Sequence, residues 1–283
     1  MGTEITGKNS SGSGTAFSGT ERLAIIGGGN MGAALAQGLL KSGQVHPASL
    51  TIVEVSADRR AVLTQMFPNS VIAAEIGPCD SAVIAVKPLD TPAATAAACA
   101  AGATRLLSIA AGVTLAALES AAGPGTAVIR SMPNTPALVG QGASAISGGA
   151  ATTAADREWA RSILGAVGLV VEVAEQDIDA ITGVTGSGPA YLFLVAEALI
   201  DAAVDVGLPR QQASDLVRQL FTGSAALLAQ GDEPKVLRER VTSPQGTTAV
   251  GIAVLQAEQV PEAFRAAVRA ATARSKELGN LPA

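Results

Sequence analysis

The residues best suited to chemistry are the glycines of residues 23–32, where an apolar run gives way to a helical pattern. Gly27 allows a tight turn, Gly29 lets the backbone approach a pyrophosphate, and Gly32 allows a helix to pack closely on a strand. The exposed N–H groups at the start of such a helix attract phosphates. The stretch therefore predicts a dinucleotide-binding site.

The next predicted strand ends near Glu54, whose carboxylate can accept hydrogen bonds from ribose hydroxyls at this position. A carboxylate there repels a ribose 2′-phosphate, whereas Ser56, Arg59 and Arg60 just beyond it could hold one. These residues leave the choice between NADH and NADPH open. The structural alternatives are a surface charge for Glu54 and a solvated helical turn for the two arginines.

Loops follow three further predicted strands, at residues 85–88, 108–112 and 132–136. Ligands of open α/β sheets lie beyond the carboxyl ends of the strands, so we expect these loops to flank the cofactor. The candidate contacts are Val86, Lys87, Ala111 and Asn134. Alternatively the loops are simple connections, since Pro88 and Pro136 are ordinary chain breakers.

Histidine and lysine are scarce in the middle of this chain. His46 is the only histidine, and no lysine occurs between Lys87 and Lys235. The usual general acids for reducing a carbonyl group are therefore nearly absent. Cys79 and Cys99 are too few for a disulfide framework and lack metal-ligand spacing, so we expect reduced thiols, no metal site and a cytoplasmic location.

Two segments of the C-terminal half combine small residues with hydroxyl-bearing ones. In residues 185–191, Ser187 lies between glycines directly before a predicted helix. In residues 241–248, a helix-start signal offers N–H groups that suit a carboxylate, and Thr248 can bond a neighbouring polar atom. Close packing of backbones explains the first segment as well, and an N-cap without a ligand explains the second.

Strands alternate with helices from residue 22 to about residue 173, which predicts an α/β fold with a doubly wound, mostly parallel sheet. The predicted strands are 22–26, 50–55, 81–86, 105–110, 127–130, 144–147 and 169–173. The segments that follow have helical patterns separated by Gly or Pro. We therefore expect a dinucleotide-binding domain over 21–175, an all-helical domain over 176–283, and a disordered tail or tag over 1–20.

Composition and charge exclude several classes of protein. The 283 residues are 48% hydrophobic and 15% charged, as in a folded chain. A net charge of −5 without a basic block argues against nucleic acid as a partner. Glu197, Asp201 and Asp205 interrupt the longest apolar run, so no membrane span is predicted.

The helix predicted over 189–206 is apolar nearly all round, which indicates burial against a second copy or, alternatively, inside one large domain.

The motifs resemble those of the pyrroline-5-carboxylate reductase family, whose members make proline. In the family's order the chain carries GGGNMG, AVKP, SIAAGVT, MPNTPALVGQG, GVTGSGPAY, GLPR and VTSPQGTT, over residues 22–278. The resemblance implies a Rossmann-type domain, a helical domain that intertwines with its twin in a homodimer, and an active site between cofactor and helical domain. The resemblance leaves open whether the dimer assembles into a larger oligomer.

The resemblance also implies roles for individual residues. The substrate carboxylate is expected on the backbone amides of a loop that contains Ser243, Gly246, Thr247 and Thr248, with Thr248 contacting the ring nitrogen. The cofactor segments of the family match Ile26, Gly27, Gly28, Gly29, Asn30, Met31, Ser56, Val86, Lys87 and Ala111. Gln245 stands where the family usually has a second glycine, and Arg240 where some members have Asn. We expect Gln245 to crowd the loop or change its backbone angles, because glycine tolerates a positive φ and glutamine does not.

The reaction that the resemblance implies fits the scarcity of histidine and lysine. It is the reduction of 1-pyrroline-5-carboxylate to L-proline with NADPH or NADH. A cyclic imine is basic enough to arrive protonated, and hydride transfer to its C=N–H⁺ carbon cancels charge instead of creating an alkoxide. Positioning of the substrate against the cofactor then supplies most of the rate enhancement. Where unprotonated imine binds, Ser187 or a bound water would supply the proton.

Two other functions stay open from the residues alone. 3-Hydroxyacid dehydrogenases share the glycine-rich start and the helical second domain, but they need a catalytic lysine soon after a similar glycine cluster. This chain has Pro189, Ala190, Tyr191 and Leu192 there. A non-catalytic sensor that binds NAD(P) to control dimerisation is the other alternative.

Overall fold

The computed structural model describes residues 21–279. Their contacts form two compact units, and the boundary along the chain falls between Ile178 and Asp179. The tail predicted over residues 1–20 lies outside the described range.

The first unit is built on an eight-stranded sheet in the order β3-β2-β1-β4-β5-β6-β7-β8. The strands are Leu23–Ile26 (β1), Leu50–Val53 (β2), Val71–Ala73 (β3), Ser81–Ile84 (β4), Arg105–Ser108 (β5), Ala127–Met132 (β6), Gly142–Gly148 (β7) and Gly168–Glu172 (β8). Neighbouring strands are parallel except β6 and β7, which pair antiparallel. The strand order reverses between β1 and β4, so the prediction of a doubly wound, mostly parallel sheet is confirmed.

Helices cover both faces of this sheet. They are Asn30–Lys41 (α1), Ala57–Met66 (α2), Thr91–Ala100 (α3), Leu115–Ala122 (α4) and Ala154–Gly165 (α5). Side chains alternate along a strand, so β1 contributes to two cores. Leu23 and Ile25 pack with residues of α1 and α5, while Ala24 and Ile26 pack with residues of α3 and α4. Burial on both faces is why central strands such as β1 and β4 are nearly continuous apolar runs.

A buried polar cluster fixes the amino ends of the strands. Arg105 forms an ion pair with Glu21, and Ser81 Oγ donates a hydrogen bond to Glu21 Oε1 over 2.6 Å. The guanidinium carbon of Arg105 lies 4.8 Å from the ring centroid of Trp159, which is fully buried. The glycine turn lies at the opposite end of the strands, directly after the carboxyl end of β1.

The second unit is built of helices, as predicted. They are Ile178–Ile181 (α6), Gly188–Asp205 (α7), Arg210–Leu228 (α8), Pro234–Arg240 (α9), Thr247–Ala257 (α10) and Val260–Gly279 (α11), with the first residue of α6 belonging to the first unit. Between α6 and α7, Thr182–Gly186 forms a π-helical turn. The sequence predicts an ordinary helix here, because a π turn has no distinct hydrophobic period.

Helices α7 and α8 leave large apolar side chains exposed. Phe193 is 68% exposed and Leu194 is 65% exposed, and Leu216 of α8 is 61% exposed. Helix α7 contains no buried residue in the described chain, so the alternative of burial inside one large domain is wrong. The helical stretch Glu175–Asp205 is also long and apolar enough to cross a membrane by length and composition alone, contrary to the prediction that its charged residues exclude this.

Candidate functional site

The glycine turn after β1 is shaped by close backbone approaches. Gly27 has a φ of 110°, and its N–H donates to Val53 O over 2.8 Å. A Cβ atom at Gly27 would lie 2.4 Å from the carbonyl oxygen of Ala85, and one at Gly32 would lie 2.0 Å from the carbonyl oxygen of Gly27. These positions therefore require glycine, both for the turn and for the packing of α1 on the sheet.

The start of α1 is open to a ligand. Gly29 is its N-cap, with no side-chain capping bond and no acidic residue in the first turn. A Cβ atom at Gly29 would meet nothing within 4 Å. The N–H groups of Asn30, Met31 and Gly32 have no acceptor within the helix, because they precede its first hydrogen-bonded turn. This cradle suits a phosphate group, which would gain both N–H donors and the favourable end of the helix dipole.

Glu54 lies directly after β2 and joins the glycine turn to the start of α2. Its Oε2 accepts a hydrogen bond from Gly28 N over 3.2 Å, and its Oε1 accepts one from Ser56 N over 2.9 Å. The hydroxyl of Ser56 accepts a bond from Arg59 N and so caps α2. Glu54 therefore contacts both the glycine turn and Ser56, and Ser56 in turn begins α2.

The two arginines after β2 are bonded to backbone carbonyls. Arg59 Nε donates to Gly28 O over 2.7 Å. Arg60 Nη1 donates to Glu54 O over 2.9 Å and to Val55 O over 2.8 Å. Arg59 therefore connects the start of α2 to the glycine turn, and Arg60 is bonded to the loop just before α2. Both side chains are half-buried, so the interpretation of these residues as a merely solvated helical turn is wrong.

An apolar cavity of about 770 Å³ lies beside this cradle. Ile26, Val53, Val55 and Val86 line it at the carboxyl ends of β1, β2 and β4, and alanines of α3 complete it. Val55 is 87% exposed, which is unusual for a large apolar side chain next to a strand. The cavity has the apolar walls expected for the flat ring system of a nucleotide.

The remaining predicted cofactor residues follow neighbouring strands at the same edge of the sheet. Val86 and Lys87 come after β4, Ala111 after β5, and Asn134 after β6. Lys87 is exposed. Asn134 is buried and its Oδ1 accepts a hydrogen bond from Ala143 N over 2.8 Å, so this side chain also has a structural role between β6 and β7.

In the second unit, a tight turn precedes α10. Gly246 N donates to Ser243 O over 3.1 Å, with Pro244 and Gln245 in the two central positions. Gln245 has a φ of 61°, so the prediction that glutamine would not adopt a positive φ is wrong. This arrangement has the features of a type II turn, in which the third residue needs a positive φ and is usually Gly or Asn.

The turn leaves the start of α10 uncapped by side chains. Gly246 is the N-cap, and a Cβ atom there would lie 2.4 Å from Ser243 Oγ. The first N–H groups of the helix, including those of Thr247 and Thr248, have no acceptor within it. Thr248 is half-buried and Thr247 is exposed. The turn and these N–H groups form a second anion-binding arrangement, of a size that suits a carboxylate.

Ser187 lies between the π turn and α7. Its N–H donates to Thr182 O over 2.8 Å, and its carbonyl accepts from Ala190 N. Tyr191 Oη donates to the carbonyl oxygen of Gly183 within the π turn over 3.2 Å. Sequence reasoning missed Gly183 and this use of Tyr191, although π turns are frequent at functional sites. Arg240, the other departure from the family pattern, forms an ion pair with Asp232.

The fold and the cradle together define a class of protein, the oxidoreductases with a Rossmann-type dinucleotide-binding domain. Residues 22–112 match the family model described as NADP oxidoreductase coenzyme F420-dependent, and residues 175–278 match the model described as pyrroline-5-carboxylate reductase dimerisation. The chain belongs to the pyrroline-5-carboxylate reductase family.

Individual relatives agree with this assignment over nearly the whole chain. The pyrroline-5-carboxylate reductase of Corynebacterium melassecola is 40% identical, over 91% of this chain and 98% of its own length. The solved structure of the Coxiella burnetii enzyme has a TM-score of 0.84 and 33% identity, covering 93% of this chain and 100% of that one. The Plasmodium falciparum enzyme, solved with NADP bound, has a TM-score of 0.80 and 29% identity over 93% and 100% of the two chains.

Proposed function

We propose that this protein reduces 1-pyrroline-5-carboxylate to L-proline with NADPH or NADH. The observation that carries the proposal is the pair of uncapped helix starts, one at Gly29 and one at Gly246, in a chain of this family. One suits a dinucleotide pyrophosphate and the other a small carboxylate.

The first unit would hold the dinucleotide. The N–H groups of Asn30, Met31 and Gly32 would bind the pyrophosphate, and the apolar cavity beside Val55 would take the adenine ring. When bound, the reduced nicotinamide supplies the hydride ion. We assign this role to residues 21–175, with Lys87, Ala111 and Asn134 flanking the cofactor at the carboxyl edge of the sheet.

The second unit would hold the substrate, a role we assign to residues 176–283. The substrate carboxylate would bind the N–H groups after Gly246, with the turn at Ser243 keeping them in place. The hydroxyl of Thr248 would accept a hydrogen bond from the protonated ring nitrogen and so orient the imine. Because the imine brings its own positive charge, no strong acid is required, and Ser187 or a water would supply a proton where unprotonated imine binds.

The exposed apolar side chains of α7 and α8 support a homodimer through the second unit, with larger assemblies built from dimers. A second copy would cover Phe193 and Leu194, which a lone chain leaves in water. The same pairing, rather than a lipid bilayer, would account for the apolar stretch Glu175–Asp205. The proposal makes the protein cytoplasmic, with no nucleic-acid or membrane partner, in keeping with its net charge of −5.

The test of activity is a set of initial rates measured by the absorbance of reduced nicotinamide. We expect turnover with pyrroline-5-carboxylate and none with 3-hydroxyacids and the oxidised cofactor. Turnover of 3-hydroxyacids would instead favour a dehydrogenase of that class. Cofactor binding without any turnover would favour a sensor.

The test of assembly is light scattering on variants. Leu194→Glu should shift the protein toward monomer, because a charge would be buried at the interface. Leu169→Glu is the matched control, because Leu169 is 67% exposed on β8 of the first unit. A dimer that survives Leu194→Glu unchanged would contradict the assignment of this surface.

A further inference from the structure

We propose that Glu54 makes this chain selective for NADH over NADPH, by accepting the ribose hydroxyls of one and repelling the 2′-phosphate of the other. The inference rests on the proposed function and goes beyond it, since the proposed function admits both cofactors. It depends on three features of the loops around the cradle.

The first feature is that the Glu54 carboxylate is held in place. Each of its oxygens accepts one backbone hydrogen bond, from Gly28 N over 3.2 Å and from Ser56 N over 2.9 Å. A carboxylate oxygen has a second lone pair, so each can still accept a bond from a hydroxyl group. If the side chain swung aside to admit a phosphate, both N–H groups would lose their acceptor.

The second feature is that the nearby cations already have partners. Arg59 donates through Nε to Gly28 O over 2.7 Å, and Arg60 donates to Glu54 O and Val55 O over 2.9 and 2.8 Å. Turning either guanidinium toward a 2′-phosphate would leave backbone carbonyls of the same loops without these donors. Both guanidiniums keep their positive charge, but Arg59 Nε and Arg60 Nη1 are directed at the backbone of the loops and not at the position of a 2′-phosphate.

The third feature is the charge that a 2′-phosphate would meet. Such a group carries a charge of about −1.5 to −2 at pH 7. It would approach the fixed Glu54 carboxylate, while Arg59 and Arg60 at the start of α2 stay bonded to backbone carbonyls of the same loops. Like charges brought together in this way oppose binding, whereas a 2′-hydroxyl donates to the same carboxylate.

The experiment is calorimetric titration of the whole protein with NADH and with NADPH, which needs no turnover. We expect the wild type to bind NADH about tenfold more tightly or better, on the scale of an unfavourable like-charge contact. Glu54→Gln removes the charge and keeps one carbonyl acceptor, so it should tighten NADPH binding and bring the affinity ratio toward one. Equal affinities in the wild type, or an unchanged ratio in Glu54→Gln, would overturn the inference.

Glu75→Gln is the matched control. Glu75 is an exposed carboxylate at the rim of the same apolar cavity, so the change in net charge is identical. We expect this variant to keep the affinity ratio of the wild type to within about twofold, because solvent screens its charge. An equal response from both variants would contradict a specific role for Glu54.

Salt dependence gives a second measurement on the unaltered protein. Charge repulsion is screened by salt, and contributions from the pyrophosphate cancel in the ratio of the two affinities. The preference for NADH should therefore narrow as ionic strength rises, and a constant ratio would contradict the inference. A protein that prefers NADH but does not reduce the imine rejects only the proposed function, whereas imine reduction with equal affinities rejects only the role of Glu54.

Discussion

The hydroxyl of Tyr191 donates a hydrogen bond to the carbonyl oxygen of Gly183 over 3.2 Å, which ties the first turn of α7 to the π turn before it. The other side of Gly183 faces α11, where a Cβ atom would lie 2.4 Å from Thr272 Oγ1 and 2.9 Å from Val268 O. The π turn that precedes Ser187 is thus in contact with α7 on one side and with α11 on the other.

Replacing Tyr191 by Phe removes the hydroxyl and keeps the ring. We expect Tyr191→Phe to lower the free energy of unfolding by about 1 kcal/mol, the usual contribution of one hydrogen bond. Denaturant unfolding at one fixed protein concentration measures this, because an oligomer's stability depends on concentration. Wild-type stability would indicate that water satisfies the Gly183 carbonyl just as well.

Adding a methyl group at Gly183 should be more damaging. Gly183→Ala forces α11 away from the π turn, and we expect a loss of about 1 to 3 kcal/mol, as for other overpacked sites. Gly188→Ala is the matched control, because a Cβ atom there meets nothing within 4 Å. Its stability should stay within about 0.5 kcal/mol of the wild type. Similar losses in both variants would mean that the contact with α11 is not the cause.

Gln245 keeps the turn before α10 at the expense of backbone strain. Gln245→Gly should raise the free energy of unfolding by about 0.5 to 1 kcal/mol, because a side chain at positive φ is strained. Gln259, with a φ of 55° between α10 and α11, offers the control, and Gln259→Gly should give a similar gain.

Since the turn already has the required φ, Gln245→Gly should change the KM for the imine less than about threefold, on the scale of a surface change. A larger change in KM would show that the glutamine side chain itself affects substrate binding.

Thr248 tests the proposed contact with the imine. We expect Thr248→Ala to lower kcat/KM by about 1 to 3 kcal/mol of transition-state binding, the scale of a lost buried hydrogen bond. Thr248→Ser keeps the hydroxyl and should lose much less. Steady-state rates with pyrroline-5-carboxylate decide this, and wild-type activity in Thr248→Ala would rule out the assigned role.

Low pH should weaken the ion pair between Arg22 and Asp80, which lies at the amino ends of β1 and β4. The side chain and the backbone N–H of Arg22 donate hydrogen bonds to Asp80, and they lower the pKa of that carboxyl from 3.8 to about 2. A lowered pKa means that the stabilisation is present above about pH 4 and is lost as the pH falls toward 2. Both side chains are about half exposed, so we expect Asp80→Asn to cost only about 0.5 to 1 kcal/mol at pH 7. In urea titrations this difference should shrink below pH 4, and an equal difference at pH 2.5 and pH 7 would contradict the assignment.

Hydrophobic pattern was enough to predict most of the fold. Seven predicted strands correspond to β1, β2 and β4 to β8, because each contains a short apolar run between turn residues, although β8 lies at the edge of the sheet and is largely exposed. The pattern missed β3, which has only three residues and an exposed Val71 at its start. It also gave no sign that β7 runs antiparallel to β6, because the alternation of side chains is the same in both directions.

The glycine turn could be predicted from the sequence, but the hydrogen bonds around it could not. The glycine spacing indicated the turn and the uncapped start of α1. Nothing in the spacing indicates that Glu54 accepts from Gly28 N, or that Arg59 donates to Gly28 O. These bonds depend on where β2 and α2 lie around the turn, and tertiary geometry of this kind leaves no local pattern.

The burial of Trp159 in the first unit gives this chain a convenient optical label. The chain has one tryptophan and one tyrosine, and the tyrosine, Tyr191, lies in the second unit. Indole emission therefore reports on the sheet, while the separate phenol emission of Tyr191 reports on the helices. Heating a single sample while recording both signals would reveal whether the two units lose their structure together or in turn.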